Sequence, residues 1–319
     1  MSFATIVQPA YADHSLEAQA LRPFGLDLRF VDGHASHDVL IKELSGTKLI
    51  FLRDTQLDGQ VISGLSECKG IIRYGIGIDN IDLEAARAKG IVVSRVLDYG
   101  AEIEVADHTA ALFLAARRRI VTRNTDVRSG AWQVGQAEPI PRIAGSTAGF
   151  VGFGKIARAV ADRLRGFGIN KFLAFDPFLK PEQAPDWVRL VSLEELAAQS
   201  DLISLHAPAT PENRHIINRD ILSRMRPTTI LVNTARGPLI DEAALYEALN
   251  DRQLFAACLD VFETEPPQTS RLLELPNLIV TDHTAWYSEA TVQAIQRGAC
   301  EQAVEILEFG TASNQVFQV

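Results

Sequence analysis

Three observations predict an α/β protein with two doubly wound parallel-sheet domains. Short apolar runs alternate with segments of helical spacing over most of the chain, the pattern of successive βαβ units. Near Ala101 one long apolar-striped segment without strand character interrupts that alternation, which then resumes, so two sheets are expected. A length of 319 residues fits about two domains, and 47% hydrophobic residues can fill two cores.

Taken in order, Thr5 to Val7, Leu26 to Val31, Lys48 to Leu52, Ile71 to Tyr74 and Ile91 to Val93 read as strands separated by helical segments such as Leu83 to Lys89. Asp82 is placed to cap that helix and Gly90 to stop it. The segment EIEVADHTAALFLAARRRI then predicts one helix of about 18 residues, and its start after Asp98-Tyr99-Gly100 marks a domain boundary. Arg128 to Arg142, with Trp132, Pro139 and Pro141, reads as a mostly irregular connection whose apolar residues suit packing on a partner subunit.

Beyond residue 146 the expected elements are a strand from Thr147, a helix from Gly154, the strand Phe172 to Phe175 and the helix Leu193 to Gln199, with Ser192 and Glu195 in capping-box spacing. The strands Leu202 to Leu205 and Ile230 to Asn233 follow, then the helix Ala243 to Asn250 behind Asp241, and the strands Phe255 to Leu259 and Leu278 to Thr281. The amphipathic segment Tyr287 to Phe309 has no sheet of its own and is expected to return to the first domain. The expected division is therefore 1–100, 101–284 and 285–319, with two crossings that form a hinge.

The stretch Ser146 to Pro177, STAGFVGFGKIARAVADRLRGFGINKFLAFDP, joins an apolar strand to Gly152-Phe153-Gly154 and a helix. Gly152 allows a tight turn, Gly154 lets backbone approach a pyrophosphate, and Ala157 permits close helix-on-strand packing. The helix start would aim N–H groups and its positive dipole end at that pyrophosphate. Asp176 closes the next strand, where a carboxylate accepts hydrogen bonds from an adenosine ribose and repels a 2′-phosphate, so NAD is expected over NADP. An ordinary glycine turn has the same two glycines, and Gly75-Ile76-Gly77 also follows an apolar strand but has no small residue at position 80 to open a packed helix.

Composition removes several function classes. With 31 basic and 40 acidic residues the net charge is −9, which argues against general affinity for nucleic acid or anionic membrane. Cys68, Cys258 and Cys300 are isolated and read as reduced thiols of a cytoplasmic protein. The N-terminal residues lack a signal-peptide pattern, and no run reaches the length of a membrane span. His206, His215 and His283 lie far apart without HxxxH or CxxC spacing, so no metal is expected, and no GxSxG elbow points to a nucleophile.

Three groups follow strands of the second sheet, where ligands of such folds bind. Arg236, in Asn233-Thr234-Ala235-Arg236-Gly237, offers a planar cation suited to a carboxylate. Glu265 precedes Pro266-Pro267, and His283, before Trp286 and Tyr287, carries a ring that exchanges protons near neutral pH. Each has an ordinary alternative on position alone: a surface arginine, an exposed loop glutamate, a structural histidine.

Taken together, the blocks RYGIGIDNIDLEAARAKGI, VADHTAALFLAARRR, VGFGKIARAVADRLRGFG, LISLHAPATPENRHIIN, LVNTARGPLIDEAAL, LDVFETEPP and HTAWYSEAT resemble the D-isomer-specific 2-hydroxyacid dehydrogenases across nearly the whole chain. The last block is nearest the C-terminal-binding corepressor branch. The resemblance implies a flavodoxin-like substrate domain and a Rossmann NAD-binding domain, and an NAD-dependent enzyme that moves hydride between nicotinamide and a small 2-hydroxy or 2-keto acid. It implies Arg236, Glu265 and His283 as the catalytic trio: His283 as acid and base, Glu265 supporting its imidazole, and Arg236 binding the substrate carboxylate and keto oxygen.

For the cofactor the resemblance implies Gly152, Gly154, Lys155 and Ile156 at the pyrophosphate and Asp176 at the ribose. His206, Ala207, Pro208 and Asn213 would run along the dinucleotide, with Thr234, Ala235, Arg236 and Asp260 at the nicotinamide and His283, Ala285 and Trp286 closing over it. For the substrate it implies Arg53, Ile76, Gly77, Arg236 and Trp286. The family pattern also implies a homodimer through the NAD-binding domain. Two departures stand out: Asp282 replaces the proline usual before the histidine, where it either acts on the imidazole or faces solvent, and HTAW replaces the HIGG of phosphoglycerate enzymes. Two other readings stay open: a corepressor-like protein that senses NADH without significant turnover, and a silent NAD-binding fold.

Overall fold

Twelve strands carry the fold among the described residues, which are 2–9, 11–132 and 139–318 of the computed structural model. β1 (Ser2–Val7), β2 (Leu26–Val31), β3 (Thr47–Leu52), β4 (Gly70–Arg73) and β5 (Val92–Arg95) form one sheet in the order β2-β1-β3-β4-β5, with every pairing parallel. That is the flavodoxin-like order. The second sheet uses β6 (Thr147–Val151), β7 (Lys171–Phe175), β8 (Val188–Leu190), β9 (Leu202–Leu205), β10 (Ile230–Asn233), β11 (Ala256–Leu259) and β12 (Leu278–Val280). Its order is β12-β11-β10-β9-β6-β7-β8, again all parallel, which is the Rossmann order extended by one strand. The expected fold class is the one observed.

Contacts divide the chain into Met1–Gly100 with Ser288–Val319, and Ala101–Tyr287. In the first unit the helix Glu289–Phe309 starts at Ser288, whose hydroxyl accepts from the Thr291 N–H, and packs on the helix Ser15–Leu21. Gln296 there donates to the fully buried Glu17, which also accepts from the Tyr74 hydroxyl at 2.7 Å. Burial alone would raise the Glu17 carboxyl, but hydrogen bonds from His14, Tyr74 and Gln296 outweigh it and hold the group below the usual range.

In the second unit successive strand residues face opposite cores, as a sheet covered on both sides requires. Val151, Ile203, Leu205, Leu231, Ala257 and Leu259 join one cluster with the helices Leu193–Gln199, Arg219–Arg224 and Glu242–Asn250. Ala148, Phe150, Leu202, Val232 and Cys258 join the other with the helices Ala101–Arg117 and Lys155–Arg165. Expected caps are present: Asp82, Ser192 and Asp241 each accept from a backbone N–H in the first turn of their helix.

Two expectations need correction. The long helix stops at Arg117, Arg119 takes a left-handed conformation (φ 53°), and a second helix, Ile120–Arg128, follows. A run of arginines carries no breaker signal, so the break was not visible in the sequence. β8 was also missed, because three residues at a sheet edge are too short to show alternation. Residues 133–138 of the expected irregular connection lie outside the described residues.

Candidate active site

Register places the predicted residues of the second unit at the C-terminal ends of its strands. Phe175 pairs with Val151, Val151 with Leu205, Leu205 with Asn233, Asn233 with Leu259, and Leu259 with Val280. The residues directly after this row are Asp176, Gly152, His206, Thr234, Asp260 and Thr281. The strand order reverses at β6, between β7 and β9, and ligands of open α/β sheets bind beside such a switch point.

Gly152 has φ +83°, and a Cβ there would sit 2.9 Å from the backbone of His206 and Ala207, so only glycine lets the two strand exits pass this closely. At Gly154 an added Cβ would meet nothing within 4 Å. That open backbone lies at the start of the helix Lys155–Arg165, which no side chain caps. An uncapped helix start beside open space fits a pyrophosphate at Gly154, Lys155 and Ile156. Asp176 accepts from the Phe153 N–H at 2.9 Å and from the Phe178 N–H at 2.9 Å. A carboxylate has about four acceptor sites, so it can shape the glycine loop and still accept from a ribose.

After β9, Asn213 donates to the Pro208 carbonyl at 2.7 Å and accepts from the Thr210 N–H at 2.8 Å, which fixes the loop from Ala207 onward. His206 meets solvent over part of its surface, yet its ring is enclosed, with Nε2 2.8 Å from Ser204 Oγ and the Phe150 ring 6.0 Å away. Burial pushes this imidazole down to about 3, so it is neutral at physiological pH.

The buried Asn233 shapes the Arg236 loop by donating to the Arg236 carbonyl at 2.9 Å and accepting from the Ala235 N–H at 3.0 Å. The half-buried Arg236 donates through one guanidinium nitrogen to the Ala235 carbonyl at 2.7 Å. Gly237 packs directly on the backbone of Phe262 and Glu263, which brings this loop against the turn that carries Glu265. Glu265 Oε1 accepts from the Phe262 N–H at 3.0 Å, and its Oε2 lies 2.7 Å from His283 Nδ1. An ionised carboxylate only accepts, so Nδ1 carries the proton of that bond and Nε2 is left for exchange with a ligand. The pair is partly exposed, at 36% for His283 and 37% for Glu265, and therefore reachable.

Asp260 does something the sequence did not indicate. Only 1% exposed, it accepts from the Thr281 hydroxyl at 2.5 Å, the Thr284 N–H at 3.0 Å and the Ala285 N–H at 3.0 Å, so it clamps the loop that bears His283. His283 itself has φ +58°, and Trp286 Nε1 donates to its carbonyl at 2.9 Å. Asp282 faces solvent and accepts from the Thr284 hydroxyl. Thr234 Oγ1 lies 2.9 Å from Oγ1 of the buried Thr109. Thr109, Asn233 and Thr281 were absent from the sequence-derived set, because what they hold becomes visible only once the strand exits are side by side.

Arg53, Ile76 and Gly77 belong to the first unit. Arg53 follows β3 and pairs with Asp54. Its carbonyl accepts from Arg73 and Asn80. Ile76 is exposed and its carbonyl accepts from Arg95. A bend spans Tyr74 to Ile76 and a turn at Asp79-Asn80 follows, so no helix opens directly after Gly77, as expected, and the next begins at Leu83. Among the described residues no His, Cys, Asp or Glu cluster suits a metal ion, and no helix is long and apolar enough to cross a membrane.

Residues 110–285 match the family model described as the D-isomer specific 2-hydroxyacid dehydrogenase, NAD binding domain. The chain is 38% identical over 292 residues to a D-3-phosphoglycerate dehydrogenase of Methanocaldococcus jannaschii, covering 91% of this chain and 55% of that one. It thus spans about half the length of the phosphoglycerate dehydrogenases it matches. It is 37% identical to a hydroxypyruvate reductase of Thermotoga maritima over 88% of this chain and 91% of that one. Among solved structures, the D-lactate dehydrogenase of Aquifex aeolicus complexed with NAD and lactic acid superposes with a TM-score of 0.87 at 26% identity, covering 98% of both chains.

Proposed function

The chain belongs to the D-isomer-specific 2-hydroxyacid dehydrogenase family, and on that premise we propose that it is an NAD-dependent oxidoreductase acting between a small 2-hydroxy acid and its 2-keto acid. The observation that carries this reading is the 2.7 Å contact of His283 Nδ1 with Glu265 Oε2, in loops that leave the adjacent strands β11 and β12 at the same strand ends as the glycine turn after β6.

His283 gives a proton from Nε2 to the keto oxygen during reduction and takes it back during oxidation. Glu265 holds the ring through Nδ1 and balances its charge when both nitrogens carry protons. Arg236 binds the substrate carboxylate and polarises the carbonyl. Arg53 and the backbone of Ile76 and Gly77 are proposed as further substrate contacts. Gly152 through Ile156 hold the pyrophosphate, Asp176 the ribose, and the segments at His206 to Asn213, Thr234 to Arg236, Asp260 and Ala285 to Trp286 the rest of the dinucleotide. When bound, NAD supplies the nicotinamide carbon that donates or accepts hydride.

A homodimer through the second unit is supported by exposed Ile103, Ile120, Val121, Val127 and Trp132 along its two consecutive helices and the residues after them. Three free cysteines favour a cytoplasmic protein, and the net charge of −9 disfavours nucleic acid as a partner. The relatives named above carry enzyme names, which favours turnover over a corepressor role.

The test is oxidation of NADH and NADPH with glyoxylate, hydroxypyruvate, pyruvate, phenylpyruvate and 2-ketoisocaproate, with His283→Ala as control. NADH-specific turnover that the substitution abolishes supports the proposal. Tight NADH binding without turnover on any acid turns it down in favour of a binding protein. Sedimentation showing only a 35.0 kDa species at micromolar concentration rejects the dimer.

A further inference from the structure

The helix Ala101–Arg117 places two neighbouring side chains against two different strand exits of the second unit. Thr109 meets Thr234, at the start of the Arg236 loop. His108 Nε2 lies 3.1 Å from Thr281 Oγ1, at the start of the His283 loop. The helix therefore braces both loops at adjacent positions of one turn.

Proton bookkeeping gives the second contact its direction. A threonine hydroxyl has one proton to give. Thr281 directs it to Asp260 Oδ1 at 2.5 Å, since the buried carboxylate already collects donors from Thr284 and Ala285 and has none to return. Thr281 must then accept from His108, so Nε2 of His108 carries a proton. His108 Nε2 is also 3.8 Å from Asp260 Oδ1, the near face of a carboxylate that is 1% exposed. A buried carboxylate needs donors or a neighbouring cation to remain charged, and His108 is placed to supply the outermost donor of this chain. At the far end, the Asp260 carbonyl accepts from the His283 N–H at 2.9 Å, and Asp260 Oδ2 from the Ala285 N–H. The positive φ of His283 is thus held from both sides by one aspartate.

We infer that His108 is a positioning residue: acting through Thr281 and Asp260, it fixes the backbone of His283 so that the ring reaches Glu265. The inference rests on the proposed dehydrogenase reading for its kinetic consequence but not for its structural one. The hydrogen bond and ion pair of His108 go to Thr281 and Asp260 rather than to Glu265 or the His283 ring, so its polar influence on His283 runs along this chain of hydrogen bonds.

The experiment compares His108→Phe, which removes the donor, with His108→Gln, which keeps an Nε2–H donor without the ring. In the full-length protein reducing the best keto acid of the panel, His108→Phe is expected to lower kcat by roughly ten- to a hundredfold, as a small misplacement of the acid requires. KM for the keto acid and Kd for NADH should change by less than about threefold, and His108→Gln should recover most of the loss. In parallel, the ring NMR signals of His283 at fixed pH, identified by their disappearance in His283→Ala, should move in His108→Phe toward their positions in Glu265→Gln, because both changes disturb the Nδ1 contact. Thr281→Val, which cuts the same chain one bond on, takes the place of His108→Phe if that variant does not fold.

Ring signals of His283 unchanged from wild type, or a loss that His108→Gln shares in full, overturn the proposal. If the wild type turns over no keto acid, the dehydrogenase reading falls and the His283 ring signals alone decide: their movement sustains the positioning role, and its absence ends it.

Discussion

Gly237 lies so close to Phe262 that a Cβ on the glycine would sit 1.9 Å from both the carbon and the oxygen of the Phe262 carbonyl. The loop of Arg236 and the turn of Glu265 are therefore packed backbone on backbone, and their separation depends on a missing side chain. Gly237→Ala forces one of them to move. Overpacking of this kind costs typically 1–3 kcal/mol, and urea unfolding should show a loss of that order. Because the displaced segments carry the proposed carboxylate anchor and the partner of His283, kcat/KM should fall further than stability does. A variant with wild-type kcat/KM would show that this contact does not set the site.

The His283–Glu265 pair leads to a graded expectation. His283→Ala removes the proton donor itself and should lower kcat by roughly 10²- to 10⁴-fold, the usual size of general acid–base catalysis. Glu265→Gln keeps an oxygen able to accept from Nδ1 but removes the charge that balances a doubly protonated ring. Its loss should be smaller, about tenfold or more. Steady-state kinetics on both variants checks the order, and equal losses would mean that the carboxylate does more than support the ring.

The parts of this site legible in the sequence were those carried by local pattern. Apolar runs such as Ile230 to Asn233 and the glycine spacing at 152 and 154 announce strands and a phosphate-sized turn, because those needs are met within a few residues. Arg236, Glu265 and His283 became candidates only through their places after strands, and the family pattern added their roles. Asp260 as a clamp, Asn233 as a loop former and His108 as a brace were not legible. Their partners are 21 to 173 residues away or depend on a loop shape that no local rule predicts, as the Asp260–Thr281 and His108–Thr281 contacts illustrate. The helix break at Arg119 was hidden for a related reason: nothing in three consecutive arginines demands a positive φ, so tertiary context imposes it.

Asp176 serves the glycine loop and, in the proposed function, the ribose. Asp176→Asn keeps an oxygen for the Phe153 N–H but removes the charge that would repel a 2′-phosphate. The ratio of kcat/KM for NADPH to that for NADH should rise by about tenfold, which corresponds to roughly 1.4 kcal/mol. Kinetics with both cofactors decides this, and an unchanged ratio would place the discrimination on other residues.

His206 provides a pH test that does not depend on turnover. Its enclosed ring is pushed down to about 3 in the folded protein, whereas an unfolded histidine takes up its proton near 6.5. Between those values the unfolded chain binds a proton that the folded chain refuses, so stability rises with pH across the window. The contribution of His206 is therefore complete above about 6.5 and is lost as pH falls from there toward 3. Gln in its place retains a polar group for Ser204 Oγ but does not titrate, so His206→Gln removes this one linkage while leaving the other acid-sensitive groups, Glu17 among them. The thermal midpoint of the wild type should fall more steeply than that of the variant between about pH 6.5 and pH 4, and the two should run parallel above about 7. Curves parallel over the whole range would mean that the ring is hydrated enough to take its proton in the folded state. The neutral imidazole beside the proposed dinucleotide path would then have to be abandoned.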